Sequence, residues 1–314
     1  MLSCKINFLS YKRDGRSLLP GLLLLALWLS LAGPPGVAQN LSEFRSKAAG
    51  LKTLLYLPDT CRREVASRNH HHNKHHHQGS SGVADVVVYN HGYGTTAARA
   101  FQGARLAEQL RLAGFQGCLL VPEWQKYPGR RNRDQGRFGQ PGNFAILLDD
   151  VFRCSPQLQG KRLGRLIILA HSAGFGPAAT EIYKNGLADK VYCLALLDSL
   201  YDSCLFDPWL ASRLNELSCG RKHYYNIFSG TARNSRAQAQ RMHSFLAGAG
   251  LPDTILEDYN NGRYLLDQAQ LRKRGLVFKF SSRRIAPVAM GTQPLSEHDS
   301  IPALYAGPIL AAIQ

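Results

Sequence analysis

The stretch from Leu166 to Gly176, LIILAHSAGFG, decides which fold this chain can adopt. It begins as a continuous apolar run, which is typical of a strand buried on both faces of a parallel sheet. The run ends abruptly in AHSAG at 170–174, and a helix is expected directly afterwards. Small residues two places before and after Ser172 permit a tight turn that would hold the serine hydroxyl above the edge of the sheet.

Short apolar runs alternate with amphipathic stretches on both sides of this motif. The alternation predicts an α/β fold of three layers, with a mostly parallel central sheet and helices on both faces. The predicted strands are Thr53–Leu57, Val83–Tyr89, Cys118–Pro122, Leu166–Ala170, Val191–Leu197, Tyr224–Phe228 and Leu276–Phe280. The predicted helices run from Thr95 or Thr96 to about Ala113, and over Asn143–Arg153, Gly176–Lys184, Ser235–Ala247 and Ile301–Ile313.

Ser172 is the candidate nucleophile, and a serine that attacks a carbonyl needs donors for the oxyanion that develops. The backbone N–H of Ala173, directly after the serine, is one candidate. The strand predicted at Val83–Tyr89 leads into His-Gly-Tyr-Gly at 91–94, where glycines let the backbone turn inward. We assign the second donor to the N–H of Tyr93, with Gly94 or Gly92 as alternatives.

A serine hydroxyl is a poor nucleophile until a base takes its proton. His298 is the only histidine downstream of residue 243, and it follows the last predicted strand. Its place in the chain order, after the serine, makes it the candidate base. We expect it in a loop that precedes the terminal helix.

The residue that orients the base should be a carboxylate. The segment after the strand predicted at Tyr224–Phe228 is Ser-Gly-Thr-Ala-Arg and has no acidic residue. The preceding strand ends in Asp198, which we choose. Asp202 is the reserve, and Glu257 or Asp258 is a third option.

These residues resemble the α/β-hydrolase superfamily over roughly residues 50–314. The matching positions are HGYG at 91–94, Ser172 in AHSAG, and His298, in the chain order Ser, Asp, His. The resemblance implies a serine hydrolase that cleaves an ester or amide through an acyl-enzyme, with no metal or organic cofactor. Ala170 stands where the motif usually has glycine, and the carboxylate missing after Tyr224–Phe228 is a second departure.

The N-terminus has the parts of a secretory signal peptide. A basic leader is followed by the apolar run Leu18–Leu31 and by small residues up to Ala38. The run is shorter than the roughly 20 residues that a membrane-spanning helix needs. We therefore expect residues 1–38 to be removed and 39–314 to form one secreted or periplasmic domain. An uncleaved anchor facing the exterior is the alternative, and it would be the chain's contact with a membrane.

Export allows disulfides, because the compartment is oxidising. Six cysteines follow the leader, and they permit 15 pairings. Cys204 with Cys219 is the favoured pair. Cys118 and Cys193 lie in apolar strand-like runs, where buried free thiols are the alternative.

A formal charge of +16 at pH 7 favours anionic substrates or surfaces. No nucleic-acid recognition motif accompanies it, so nucleic acid is not a predicted partner. The predicted loop at 125–142 carries Arg130, Arg131, Arg133 and Arg137 after the third predicted strand, at the edge where α/β sheets bind ligands. Its guanidinium groups could bind a carboxylate or phosphate of a small-molecule, lipid or peptide substrate. A solvated basic loop is the alternative.

A histidine-rich segment at 69–82, NHHHNKHHHQGSSG, is predicted to be a loop between the first two predicted strands. Its histidines could bind Zn²⁺ or Ni²⁺, but a flexible loop offers little preorganised geometry, and we expect adventitious binding.

Three function classes therefore follow from the sequence. They are an active serine hydrolase, a catalytically silent binding protein of the same fold, and an exported protein that binds metal or polyanions.

Overall fold

The structure is a computed structural model that describes residues 40–58, 82–130, 134–260, 262, 265–285 and 295–314. The predicted leader, the histidine run at 69–81, Arg131 and Arg133 lie outside the described residues. Within those ranges, no helix combines the length and the apolar character needed to cross a membrane.

The described strands form one sheet. In chain order they are β1 Leu41–Arg45, β2 Lys52–Tyr56, β3 Val83–Asn90, β4 Cys118–Pro122, β5 Arg162–His171, β6 Val191–Leu197, β7 His223–Phe228, β8 Leu256–Asp258 and β9 Leu276–Phe280. Their spatial order is β1-β2-β4-β3-β5-β6-β7-β9-β8. In this spatial order, each neighbouring pair of strands from β4 through to β8 is parallel. Strand β2 is antiparallel to both of its neighbours, β1 and β4.

Helices cover both faces of this sheet. They are α1 Ala97–Gly103, α2 Leu106–Ala113, α3 Asn143–Cys154, α4 Phe175–Tyr183, α5 Asp207–Ser212, α6 Leu214–Ser218, α7 Ala232–Gly248, α8 Gln268–Lys273 and α9 Glu297–Ala312. Val86 and Val88 pack into a core with α3, α4 and α7, while Val87, equally buried, points to the opposite face. There α2 packs against α9. The predicted three-layer α/β fold is confirmed.

The register of the central strands brings the predicted site to one edge of the sheet. Asn90 at the end of β3 pairs with Ala170 of β5, and His171 pairs with Leu197 at the end of β6. The residues that follow β3, β5 and β6 therefore emerge side by side at the carboxyl edge.

The elements missing from the sequence prediction are short or polar. β1 has the sequence LSEFR and exposes much of its length, so it lacks an apolar run. β8 has three residues, which is below the length at which a periodicity is visible. The helix predicted up to Ala113 is two helices, because Arg105 between them adopts a left-handed φ of 52°.

The terminal helix begins earlier than predicted. Ser296 caps it by accepting a hydrogen bond from the backbone N–H of Asp299. His298 therefore lies in the first turn of α9 rather than in a loop. The helical hydrogen bonds give this turn a fixed geometry that a loop would not have.

The favoured Cys204–Cys219 pair is not formed. The five described cysteines are free thiols, with Cys118 and Cys193 buried in strands. The segment between Cys204 and Cys219 is filled by α5 and α6 rather than by a short loop, and the Cys219 thiol donates to the carbonyl of Asn215.

A buried polar pair ties β3 to the helix that follows Ser172. Glu181 of α4 is fully buried and accepts a hydrogen bond from Asn90 Nδ2 at 2.9 Å. Burial raises the pKa of Glu181 well above its ordinary value of 4.5, although the bond from Asn90 opposes the change. The folded protein therefore favours the protonated, neutral form of Glu181.

We expect Glu181→Gln to weaken the pH dependence of stability. Because the pKa is raised in the folded state, the stabilisation from neutral Glu181 is full below pH 4.5 and is lost as the pH rises toward the folded pKa. Glutamine keeps the contact and does not titrate. Urea unfolding at pH 5 and pH 8 should show a larger loss in the wild type than in the variant. Glu108→Gln, at a position of α2 where the side chain is 40% exposed, is the control, and equal losses in wild type and Glu181→Gln would contradict the prediction.

Candidate active site

Ser172 lies on a strained turn between β5 and α4. Its φ is 52°, in the left-handed region that a residue with a side chain rarely adopts, and residues 172–174 form a single 3-10 turn. Strain of this kind is characteristic of functional positions. Gly174 permits the turn, since a Cβ there would lie only 2.1 Å from the carbonyl oxygen of Asn90.

The structure brings His298 and Asp198 together. His298 Nδ1 lies 2.7 Å from Asp198 Oδ2, and the Asp198 side chain is fully buried while that of His298 is 28% exposed. This is the carboxylate–imidazole arrangement in which a carboxylate orients a base and stabilises its charged form.

Asp198 is held by the segment that has no carboxylate of its own. The N–H groups of Ser229, Gly230 and Thr231 donate to it at 2.9–3.0 Å, and the Ser229 and Thr231 hydroxyls donate at 2.6 and 2.9 Å. Burial raises the pKa of Asp198, but the hydrogen bonds from His298, Ser229 and Gly230 outweigh it and hold this pKa well below its usual range. The carboxyl stays ionised despite its burial.

The environment of His298 favours its protonated form. Burial lowers its pKa, while the hydrogen bond and the charge of Asp198 raise it, and the net result is a pKa above 6.5. Asp299 adds to the rise. His298 is therefore equipped to accept a proton.

The turn of Ser172 is fastened to the loop that carries Asp198. Ser199 Oγ donates to the carbonyl of Ser172 at 2.6 Å. The hydroxyl of Tyr201 contacts the Ser172 side chain. Ser172 and His298, which are both described, share no direct hydrogen bond here. In enzymes free of substrate, such bonds are often long and tighten only in the reactive complex.

The predicted oxyanion loop lies against the serine. A Cβ at Gly92 would be 2.9 Å from Ser172 Cβ and 3.3 Å from its Oγ, so the backbone approaches the serine closely there. Trp124 Nε1 donates to the carbonyl of His91 at 2.9 Å and fixes the start of the loop. Tyr93 follows on the same turn, and Ala173 lies in the 3-10 turn on the serine side. Their roles as donors remain predictions.

The alternative carboxylates lie apart from His298. Asp202 is exposed and accepts from the N–H of Cys204. Glu257 pairs with His243, and Asp258 pairs with Lys279 at 2.7 Å. Asp198 alone among the four carboxylates considered from the sequence bonds to His298.

Two of the four predicted arginines are described. Arg130 is exposed and lies over the ring of Tyr127, and Arg137 is exposed with its guanidinium against Gly50. A cavity of about 480 Å³ lies beside this loop, and Lys52, Lys126 and Arg137 contribute positive charge to its lining. A substrate-binding role for the arginines remains a prediction.

His171, directly before the serine, packs against His298, and the two ring centroids are 4.6 Å apart. Burial and the neighbouring His298 lower the pKa of His171 to about 4, so it is neutral at pH 7. Together with Asp299 the two histidines offer potential metal-binding atoms within 4.8 Å of one another. However, His298 Nδ1 bonds to Asp198 and His171 Nε2 lies 3.3 Å from the carbonyl oxygen of His298, so one nitrogen of each ring already has a partner within the protein.

Sequence reasoning missed three contributors to the site. They are Tyr201, the contact of His171 with His298, and the group of donors at 229–231. The first two sit beside recognised residues, so proximity was a usable signal. The group of donors gave none, since only the three-dimensional approach of β6 to β7 brings it to Asp198.

Comparison with known proteins gives structural similarity only. No family model matches the chain, and no curated protein sequence matches it. The S-formylglutathione hydrolase of Agrobacterium tumefaciens is 11% identical over 60% of this chain and 74% of its own, with a TM-score of 0.37. MPT51 (FbpC1) of Mycobacterium tuberculosis is 11% identical over 90% of this chain and 100% of its own, with a TM-score of 0.45. The esterase Est22 is 13% identical over 94% of this chain and 87% of its own, with a TM-score of 0.41.

The architecture itself decides the fold. A mostly parallel sheet with helices on both faces carries a strained serine on the turn after β5, and the Asp–His pair follows later in the chain at the same edge. That order of serine, aspartate and histidine on such a sheet belongs to one architecture. The chain has the α/β-hydrolase fold.

Proposed function

We propose that this chain is a serine hydrolase that cleaves an ester or amide through an acyl-enzyme. The observation that carries the proposal is the buried, ionised Asp198 at 2.7 Å from Nδ1 of His298, on a loop fastened to the strained turn of Ser172. A structural aspartate would not need an imidazole partner, because the donors at 229–231 already satisfy it.

Acylation uses the chain's own groups. With Nδ1 donating to Asp198, the Nε2 of neutral His298 can accept the Ser172 proton as Oγ attacks the carbonyl carbon. The resulting oxyanion would receive hydrogen bonds from the Tyr93 and Ala173 amides. Protonated His298 then gives its proton to the leaving group as the bond to the acyl carbon breaks.

Deacylation repeats the sequence with water as the nucleophile. His298 takes a proton from water, hydroxide adds to the acyl carbon, and Ser172 leaves with the proton from His298. Asp198 stays ionised throughout and stabilises the imidazolium in both steps. This cycle leaves the enzyme unchanged and involves no net oxidation or reduction.

Features near the serine support an uncharged apolar group in the substrate. Tyr201, whose hydroxyl contacts the Ser172 side chain, is 52% exposed, and its ring lies 5.7 Å from that of Phe175, so an aromatic pair begins beside the serine. The charges that act on Tyr201 come from Asp198 and Asp299, which disfavour an anion there. An anionic part of the substrate, as predicted from the arginines, would have to lie toward the 125–142 loop.

Export also belongs to the proposal. The basic leader and the short apolar run support secretion or delivery to a periplasm, with an external membrane anchor as the alternative. N-terminal sequencing of the protein recovered from its native compartment would distinguish cleavage near Ala38 from retention.

The test is labelling with a fluorophosphonate, read by intact mass. We expect one adduct on the wild type and none on Ser172→Ala or His298→Ala, because both the nucleophile and its base are needed. Ser212→Ala, an exposed serine of α5, is the matched control and should label normally. Circular dichroism would verify that each variant is folded.

Failure of the folded wild type to label would overturn the proposal in favour of a silent binding protein. Deleting residues 69–82 tests the third class, an exported protein that binds metal or polyanions. Activity that survives this deletion and is lost in Ser172→Ala would exclude metal or polyanion binding by the histidine run as the main role.

A further inference from the structure

His298, the proposed base, lies four residues before a proline of its own helix. His298 is in the first turn of α9, and Pro302, inside the same helix, is four residues later. In an α-helix the N–H of residue 302 would donate to the carbonyl of residue 298. Proline has no N–H, so the usual i+4 hydrogen bond to the carbonyl of His298 cannot form.

His171 occupies the place of the missing donor. Its Nε2 lies 3.3 Å from the carbonyl oxygen of His298, and its ring packs against the ring of His298 with an angle of 36° between the ring planes. The other ring nitrogen, Nδ1, faces Gly92, where a Cβ would lie 3.8 Å from it. His171 thus touches the residue of the base and the oxyanion loop, while its backbone continues directly into Ser172.

We propose that His171 is a positioning residue, which holds the base by packing against its ring and by donating Nε2–H to the backbone carbonyl that Pro302 leaves without its i+4 donor. The inference rests on the proposed function, since it assigns His298 the role of base. His171 exchanges no proton in the proposed cycle and acts through the base. It couples the backbone of the base to the strand that ends at the nucleophile, so that the two cannot drift apart.

The charges around the pair are consistent with a neutral donor. Asp198 from the end of β6 and Asp299 from α9 act on both histidines, and His298 acts on His171. In the working state, a protonated His298 beside a second imidazolium would be repulsive. Neutral His171, which donates through Nε2–H, avoids that repulsion and keeps its contact throughout the cycle.

The two prolines inside α9, Pro302 and Pro308, provide a matched test. Pro302→Ala supplies an N–H that competes with His171 for the carbonyl of His298. Pro308→Ala supplies one to residue 304 instead. Both changes favour the helix. If the contact of His171 with the His298 carbonyl were purely structural, both variants would raise Tm without lowering kcat. We expect Pro302→Ala to raise Tm and yet lower kcat by a few-fold to roughly tenfold with KM little changed, and Pro308→Ala to leave kcat unchanged.

His171→Phe keeps a flat ring and removes the donor, and it should lower kcat by roughly tenfold, since small displacements of catalytic groups cost rate steeply.

A readout independent of turnover is the downfield NMR resonance of the His298 Nδ1–H, which reports its bond to Asp198. It should broaden by solvent exchange in Pro302→Ala and His171→Phe but remain sharp in the wild type and in Pro308→Ala. Unchanged kcat and unchanged resonances in the two variants would overturn the inference. The expected resonance changes in a protein that takes up no fluorophosphonate would support the positioning role and defeat the proposed function.

Discussion

Replacing Asp198 with asparagine is expected to lower kcat/KM for any ester substrate by about 10⁴-fold. The amide can donate a hydrogen bond to His298 Nδ1, which favours the tautomer with its proton on Nε2, and that tautomer cannot accept the proton of Ser172. With its NH2 in the place of Oδ2, the amide also turns an N–H donor toward the N–H of Gly230, where only an acceptor fits. Steady-state hydrolysis of p-nitrophenyl acetate would measure the loss.

Asp202→Asn is the matched control for this prediction. It makes the same chemical change four residues later, at an exposed carboxylate whose one hydrogen-bond partner within the described part of the chain is the N–H of Cys204 in the same turn. We expect activity within about twofold of wild type, in line with the small effects of surface substitutions. Comparable losses in both variants would show that Asp198 is not the orienting acid.

Asp198→Asn is also expected to change the pH dependence of activity. Asp198 raises the pKa of His298 against the effect of burial, so its removal should lower that pKa. Because the neutral imidazole is the active form, activity appears as pH rises through the pKa, and the rising limb should move to lower pH in the variant. The rate of fluorophosphonate labelling from pH 4 to 9 would follow the limb even in a slow variant. A midpoint that moved upward would contradict the assignment.

The serine, its strand and the following helix were predictable because their signals are local. The apolar run before Ser172 and the small residues around it are contiguous in the chain, and the structure forms a strand, a turn and a helix from them. The partnership of Asp198 with His298 spans 100 residues. The sequence offered it only as one of several candidates, and the register of β5, β6 and β7 is what brings the two together.

The donors at 229–231 explain why the site departs from the commonest pattern. Asp198 is at the tip of β6 with a left-handed φ of 50°, and this turn directs its carboxylate sideways to the end of β7. A carboxylate at the end of β7 would repel it there. The segment after β7 supplies hydrogen-bond donors in place of an acid, and no single-sequence pattern distinguishes such a cradle from an ordinary turn.

Gly174→Ala is expected to reduce the free energy of unfolding by about 3 kcal/mol, at the upper end of the usual cost of overpacking. The added methyl would lie 2.1 Å from the carbonyl oxygen of Asn90, which is backbone and cannot rotate away. Asn90 is itself held twice, by its register with Ala170 and by its side-chain bond to Glu181. The strain must therefore move β3 away from β5, and with it the Gly92 turn that lies against Ser172.

Gly176→Ala is the control, because it shows whether any added methyl group in this stretch lowers stability or only one at residue 174. Gly176 is two residues later in the same stretch, and a Cβ there would meet only the amide nitrogen of Gln135 at 3.1 Å, the end of a flexible side chain. Because it lies within α4, alanine should stabilise it by up to about 1 kcal/mol. Urea unfolding and the labelling rate of Ser172 should fall together in Gly174→Ala, while the labelling rate of Gly176→Ala stays near that of wild type. A Gly174→Ala protein as stable and as reactive as wild type would mean that β3 and the serine turn are not packed as tightly as their role in the site requires.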